Sequence, residues 1–215
     1  HEYGCLPLGH PGQEGAEQAL ACAGVAVAAR DGFLEFVDPQ HARRERFTGP
    51  VIAITGQNGK TSTKEMVAAV LATKWKTHRT RANDNNLVGV PLTVLQAPAD
   101  TEAMVVEAGA NVPGEIPRYR EILRPDIAVV INAGAGHLEG FGSVAGVVRE
   151  KLSLTRDVPL AIVGLEPAEL VPGARALATR VVTAGLADAE VSPESVRVVG
   201  IAGGAVALQA SDVAL

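Results

Sequence analysis

Two cysteines, Cys5 and Cys22, are all that this sequence of 215 residues holds, and the scarcity removes two architectures at once. A disulfide framework or a zinc cluster needs more, so the chain reads as one from a reducing compartment carrying two inert thiols. Basic residues are also in deficit: 19 Lys and Arg against 24 Asp and Glu leave a formal net charge of −5. A nucleic-acid partner calls for a basic face that displaces counterions, so none is expected, and an anionic ligand has to be met by a local site. Long apolar runs are missing too. The longest, residues 19–29, is too short to span a bilayer and lacks the basic flank of a signal peptide, which leaves a soluble, cytoplasmic protein without a membrane partner as the expectation. No internal repeat and no low-complexity segment stands out.

What is present suits a globular core. Apolar residues make up 47% and charged residues 20%, a balance that excludes disorder, and the length allows one large domain or two small ones. The text starts at His1 without a methionine and reads as a piece of something longer. Residues 1–47 are Gly- and Ala-rich, then charged through His41-Ala42-Arg43-Arg44-Glu45-Arg46. That run suits a solvated linker or helix end, with a basic anion-binding patch as the alternative. From Pro50 onward short apolar runs alternate with helical patterns. Segments 51–55, 103–107, 127–132, 160–163 and 180–183 are predicted as strands buried on both faces. Segments 63–74, with Met66, Val67, Val70 and Leu71 at helical spacing, and 168–179 are predicted as helices. The alternation predicts an α/β fold, a mostly parallel sheet with helices on both faces and right-handed crossovers, whose ligands sit at the carboxyl ends of the strands. Segment 195–210, with Gly203-Gly204 between two alternating runs, is predicted as a hairpin at the sheet's antiparallel edge.

The most informative stretch is Val51-Ile52-Ala53-Ile54-Thr55-Gly56-Gln57-Asn58-Gly59-Lys60-Thr61-Ser62, a buried strand, a glycine turn and a helix start in direct succession. Gly56 and Gly59 let the backbone turn tightly with successive N–H groups pointing inward, and the helix N-terminus adds partial positive charge. That is a phosphate-binding arrangement, with Lys60 placed to reach the β/γ-phosphates and Thr61 to offer a hydroxyl to Mg²⁺. The loop is a shortened P-loop, since only Gln57 and Asn58 separate its glycines. Such a turn can also join strand to helix with no ligand, but Gly-Lys-Thr at the helix start argues for the phosphate site.

Two further strand ends carry chemistry. Segment 103–107 finishes in Glu107, where a carboxylate beside the loop can hold Mg²⁺ directly or through water, or merely solvate the strand end. Segment 127–132 leads through Ala133-Gly134-Ala135-Gly136 to His137, with Glu139 two residues on; this imidazole is either an ordinary surface or core histidine or a ligand at the same sheet edge. In the helical pattern over 143–154, Val144, Val147, Val148 and Lys151 share one face. Either the Lys151 stem lies along the core with its ammonium reaching water, or a partly desolvated amine loses its proton and is carboxylated by CO₂ to a metal-coordinating anion.

Four motifs, in order, resemble the Mur ligases: Ile54-Thr55-Gly56-Gln57-Asn58-Gly59-Lys60-Thr61; Asn83-Asp84-Asn85-Asn86 running into Gly89-Val90-Pro91-Leu92-Thr93; Glu107-Ala108-Gly109-Ala110-Asn111 with Gly114-Glu115-Ile116; and His137-Leu138-Glu139-Gly140-Phe141-Gly142-Ser143 with Lys151 downstream. The last resembles the branch that adds D-alanyl-D-alanine to UDP-MurNAc-tripeptide more than the sister ligases or the folylpolyglutamate synthases. The resemblance implies an ATP-dependent amide ligase working through an acyl phosphate, expected as a monomer. It implies that residues 56–62 (Gly56, Gln57, Asn58, Gly59, Lys60, Thr61, Ser62) bind ATP. Thr61, Glu107, His137 and Lys151 would hold Mg²⁺, Lys151 as a carbamate. Lys60, His137 and Lys151 are then the catalytic residues, and Asn85 and Asn86 lie near the substrate. Residues 1–47, with Gly9-His10, resemble the end of a domain that binds the uridine diphosphate end of the substrate, and 48–215 the central ATP-binding domain; the family's C-terminal domain is not in this text. Another Mur-type ligase and a non-catalytic nucleotide-binding module are the alternatives. The chain departs from the family at Leu152-Ser153 and at Gly164-Leu165-Glu166-Pro167, which leaves adenine recognition unassigned.

Overall fold

The computed structural model describes residues 6–7, 26–30, 33–37, 39–136, 138–186, 188–192, 196–202 and 205–210. In chain order the strands are β1 (Leu6–Pro7), β2 (Ala26–Arg30), β3 (Phe33–Val37), β4 (Val51–Thr55), β5 (Thr77–Arg79), β6 (Ala103–Glu107), β7 (Ile127–Val130), β8 (Leu160–Gly164), β9 (Arg180–Ala184), β10 (Val196–Ala202) and β11 (Ala205–Ala210). The helices are α1 (Pro39–Arg46), α2 (Lys60–Leu71), α3 (Gly89–Leu95), α4 (Glu115–Leu123), α5 (Leu138–Phe141), α6 (Val144–Leu152) and α7 (Leu170–Arg175).

Six strands, β4 to β9, form one parallel sheet in the order β5-β6-β4-β7-β8-β9. Apolar runs with no polar alternation can be satisfied only by cover on both faces, and every residue of β4 and β6 is buried. Alternate residues of β4 face opposite ways, as the pleat requires: Val51 and Ala53 join one core with α3, α4, α6 and α7, while Ile52 and Ile54 join a smaller one with Ala68, Val67 and Leu71 of α2. The expected α/β fold is therefore present. The outer strands β8 and β9 are less deeply covered.

Three expectations are corrected. The 195–210 hairpin forms, β10 against β11, but as a separate two-stranded sheet and not as an edge of the large one. Helix α2 starts three residues before the expected 63 and is rotated from the expected stripe: Met66 and Val70 are 62% and 61% exposed, while Lys64 and Ala68 are buried. The reason is that Lys64 carries its charge to internal partners, which turns that face inward. On α6, Val147, Val148 and Lys151 are buried as expected but Val144 at the first turn is 41% exposed. The charged run at 41–46 forms the end of a helix, as the first of its readings allowed. It lies in α1, where Arg44 turns inward and donates to the main-chain oxygens of Phe47 (2.9 Å) and Arg124 (2.8 Å), supplying a cation to the carbonyl end of α4. Gly9, His10, Cys5, Cys22 and Gly203-Gly204 lie outside the described residues.

Candidate functional site

The sheet order puts the carboxyl ends of β6, β4 and β7 side by side, so the segments after Thr55, Glu107 and Val130 converge by topology alone. Thr55 Oγ1 donates to Ala108 O at 2.8 Å, locking the ends of β4 and β6 together. Beyond it the chain turns through Gly56 to Gly59, which opens α2 at φ 82°, a left-handed conformation that a side chain would oppose. Lys60 begins the helix and folds back over the turn, its Nζ donating to Gly56 O (3.0 Å) and Gln57 O (3.1 Å). The N–H groups that start the helix have no acceptor within it and carry the positive end of its dipole.

Glu107 stands at the end of β6 with 1% of its surface exposed. Thr61 Oγ1 donates to its carboxylate, 3.0 Å from Oε2 and 3.2 Å from Oε1. Asn85 Nδ2 donates to Oε1 at 2.7 Å, and the main-chain N–H of Glu107 donates to Thr80 Oγ1 at 3.0 Å. The fourth partner is the fully buried ammonium of Lys64, 3.7 Å from Oε2, which also donates to Ala82 O at 2.8 Å and pairs with Glu65 at 3.0 Å. A buried carboxylate is tolerated only when so surrounded. Gly109 completes the fit, because a Cβ there would lie 2.7 Å from Asn85 Oδ1.

Lys151, 3% exposed, comes up from α6 beneath the loop, and its Nζ donates to Gly56 O at 3.1 Å, the same carbonyl that Lys60 takes. Burial, and then the neighbouring Lys60 charge, push its pKa down to about 8 against the opposing pull of Glu150. Glu150 itself is spoken for: it accepts from the N–H groups of Gly114 (3.0 Å) and Ile116 (2.9 Å) at the start of α4. Glu115 likewise accepts from Asn111 (2.6 Å) and Val112 (3.0 Å). These two carboxylates tie the helix of Lys151 to the loop that follows Glu107.

Of the residues read as a site, the structure thus gathers the 56–62 loop, Asn85, Glu107 and Lys151. Asn86 stands apart. It is exposed, and its Oδ1 accepts from the N–H groups of Val88 (3.0 Å) and Gly89 (2.9 Å), a local turn that opens α3. His137 lies outside the described residues, and Glu139 is exposed. Among the described residues no group of three or more His, Cys, Asp or Glu side chains is placed to hold a metal ion. A cavity of about 660 Å³ lies at the opposite strand ends, where Arg120, Arg124 and Arg156 are matched by Glu121, Asp126 and Asp157. It has no charge imbalance with which to draw an anion.

The sequence family described as Mur ligase middle domain matches residues 54–200. The chain belongs to that family. A curated relative, the UDP-N-acetylmuramoyl-tripeptide–D-alanyl-D-alanine ligase of Bacillus subtilis, is 44% identical over 121 residues, 54% of this chain and 26% of that protein. Among solved structures, MurF from Acinetobacter baumannii superposes with a TM-score of 0.64 at 35% identity, covering 69% of this chain and 34% of that one. The MurF ligase of Thermotoga maritima in complex with ADP gives 0.66 at 26% identity, covering 83% and 45%. The chain therefore spans about a quarter to under half of the length of these relatives.

Three side chains of this Mur ligase domain were not singled out from sequence. Lys64 fell within the predicted helix 63–74 with no role, Thr80 within no predicted element, and Asn132 at the end of the predicted strand 127–132. Asn132 Oδ1 accepts from the N–H groups of both Gln57 (2.9 Å) and Asn58 (3.0 Å). The signal for it was available: a lone amide terminating a buried strand beside a glycine turn.

Proposed function

We propose that the protein is an ATP-dependent ligase of peptidoglycan precursor synthesis that adds D-alanyl-D-alanine to UDP-MurNAc-tripeptide, acting as a monomer in the cytoplasm. The observation that carries this is the meeting of the Thr61 hydroxyl and the Glu107 carboxylate beside a glycine turn that two lysines share, in a chain 44% identical to a ligase of that name. Residues 48–215 form the ATP-binding domain in this reading, and 1–47 the end of a domain for the uridine diphosphate of the substrate. Among the described residues no helix is long and apolar enough to cross a membrane.

The donors suit a hard cation. A carboxylate and a hydroxyl are all-oxygen ligands already in contact, as Mg²⁺ prefers. Thr61 and Glu107 would hold it, with His137 and a carbamylated Lys151 as the further ligands that the family resemblance implies. The ion supplies charge neutralisation for the phosphates. The chain's own residues do the rest by position. The helix-opening N–H groups receive phosphate oxygens, and Lys60 has only to swing off the Gly56 and Gln57 carbonyls to place its ammonium on the transferring phosphoryl group. Asn85 steers the Glu107 carboxylate. The substrate carboxylate then attacks the γ-phosphorus in line, giving an acyl phosphate and ADP, and the amine of D-alanyl-D-alanine displaces phosphate. No side chain is required as a nucleophile. The test is ADP release by the full-length protein. Release that needs both UDP-MurNAc-tripeptide and D-alanyl-D-alanine is expected; ATP binding without turnover in a panel of acceptors and amines would refute the reading.

A further inference from the structure

We propose that Asn132 is a positioning residue of the phosphate loop, one that fixes two of its amides against the sheet so that the others face the nucleotide. The inference rests on the reading of the loop as a nucleotide site. In a longer P-loop many successive N–H groups converge on the anion. Here the Gln57 N–H donates to both the side-chain oxygen (2.9 Å) and the main-chain oxygen (3.1 Å) of Asn132. The Asn58 N–H donates to the same side-chain oxygen at 3.0 Å. The Asn132 Nδ2 donates back to Asn58 O at 3.4 Å, so the amide brackets residue 58 from both sides. These bonds continue the β4–β7 pairing past its last ladder contact, Ile131 N–H to Thr55 O at 3.0 Å. Gln57 and Asn58 are therefore turned toward the neighbouring strand, and it is the helix start at Gly59, Lys60 and Thr61 that is left for phosphate oxygens.

A side-chain amide holding two backbone donors removes the conformational freedom that a short glycine turn otherwise keeps. Its neutral oxygen also suits this place better than a carboxylate, which would repel the incoming anion. The loop is thus organised before the ligand arrives, and affinity for ATP depends on a residue that need not touch it.

The experiment uses the full-length protein and ATP with Mg²⁺ in titration calorimetry. Asn132→Ala is expected to weaken ATP binding, and to raise KM for ATP, about tenfold, equivalent to about 1.4 kcal/mol, with KM for the D-alanyl-D-alanine amine unchanged. Amide hydrogen exchange should quicken at Gln57 and Asn58 in Asn132→Ala and stay slow in Asn132→Asp, which keeps the acceptor oxygen. ATP bound by Asn132→Ala as tightly as by the parent would overturn the inference alone, whereas a parent that binds no ATP would overturn the nucleotide reading with it. If Asn132→Ala does not fold, fast exchange of the two amides in Asn132→Asp would still refute the brace.

Discussion

The ammonium of Lys151 is the group whose behaviour the geometry determines most sharply. At 3% exposure, with one carbonyl for a partner and the Lys60 charge nearby, its pKa falls to about 8. At pH 7.5 about a quarter of the amine is then unprotonated, against about one part in a thousand for an ordinary lysine at 10.5. That difference of roughly two hundredfold is what would make the amine available to CO₂. It also links to stability. Because the folded pKa lies below the unfolded one, the folded chain carries a penalty at every pH below about 8, and the penalty is relieved as pH rises toward 10.5. Its full size is on the order of 3 kcal/mol. The ionisation of the chain can be followed by NMR of ¹³Cε-labelled lysine, with ¹³C-bicarbonate to reveal a carbamate signal that vanishes in Lys151→Met. Denaturation of parent and Lys151→Met in parallel should show the parent gaining relative stability between pH 8 and 10.5. Comparing the two cancels Tyr119, whose phenol burial pushes the opposite way. A Lys151 resonance that titrates near 10.5, or a stability difference that does not change with pH, would refute the argument.

Lys60→Ala in the full-length protein should lower turnover at least a hundredfold, about 2.7 kcal/mol, and near-native turnover would exclude contact with the transferring phosphoryl. Gly109→Ala puts a Cβ 2.7 Å from Asn85 Oδ1 and displaces Asn85 from the buried Glu107 carboxylate, so ligase activity should fall and denaturant melts should show a loss of about 1–3 kcal/mol; unchanged activity and stability would refute the contact's role. Tyr119→Phe removes a buried hydroxyl that lacks a partner of good geometry, although Glu115 is close enough to press on its charge. Denaturant melts should find the variant as stable as the parent or up to about 1 kcal/mol more so.

The central strands were legible because burial on both faces leaves one kind of text: β4 and β6 match the expected 51–55 and 103–107 residue for residue, and the site follows from where they end. Strand β5 was not legible, since three residues, Thr77-His78-Arg79, at a sheet edge carry no apolar run. Helices α3 and α4 were missed for another reason. Pro91 and Pro117 sit in their first turns, where proline costs little but reads as punctuation. The inward turn of Lys64 depends on Glu107 and Ala82 O, 43 and 18 residues away in the chain, or on partners that no local periodicity registers. The separate hairpin at 196–210 was misplaced because alternation fixes a strand's face and not its neighbour.

The central position of β4 has a consequence for how the chain comes into being. Val51-Ile52-Ala53-Ile54-Thr55 leaves the ribosome well ahead of both strands that flank it, with contacts such as Thr55 to Ala108 and Gln57 to Asn132 spanning 53 and 75 residues. Until β6 and β7 have been synthesised, five residues destined for complete burial have no edge to join. The nascent polypeptide therefore exposes a sticky segment for several seconds of translation, on the order of 5–20 residues being added each second, and holdase binding in that interval would be directed at the strand that later carries the glycine loop.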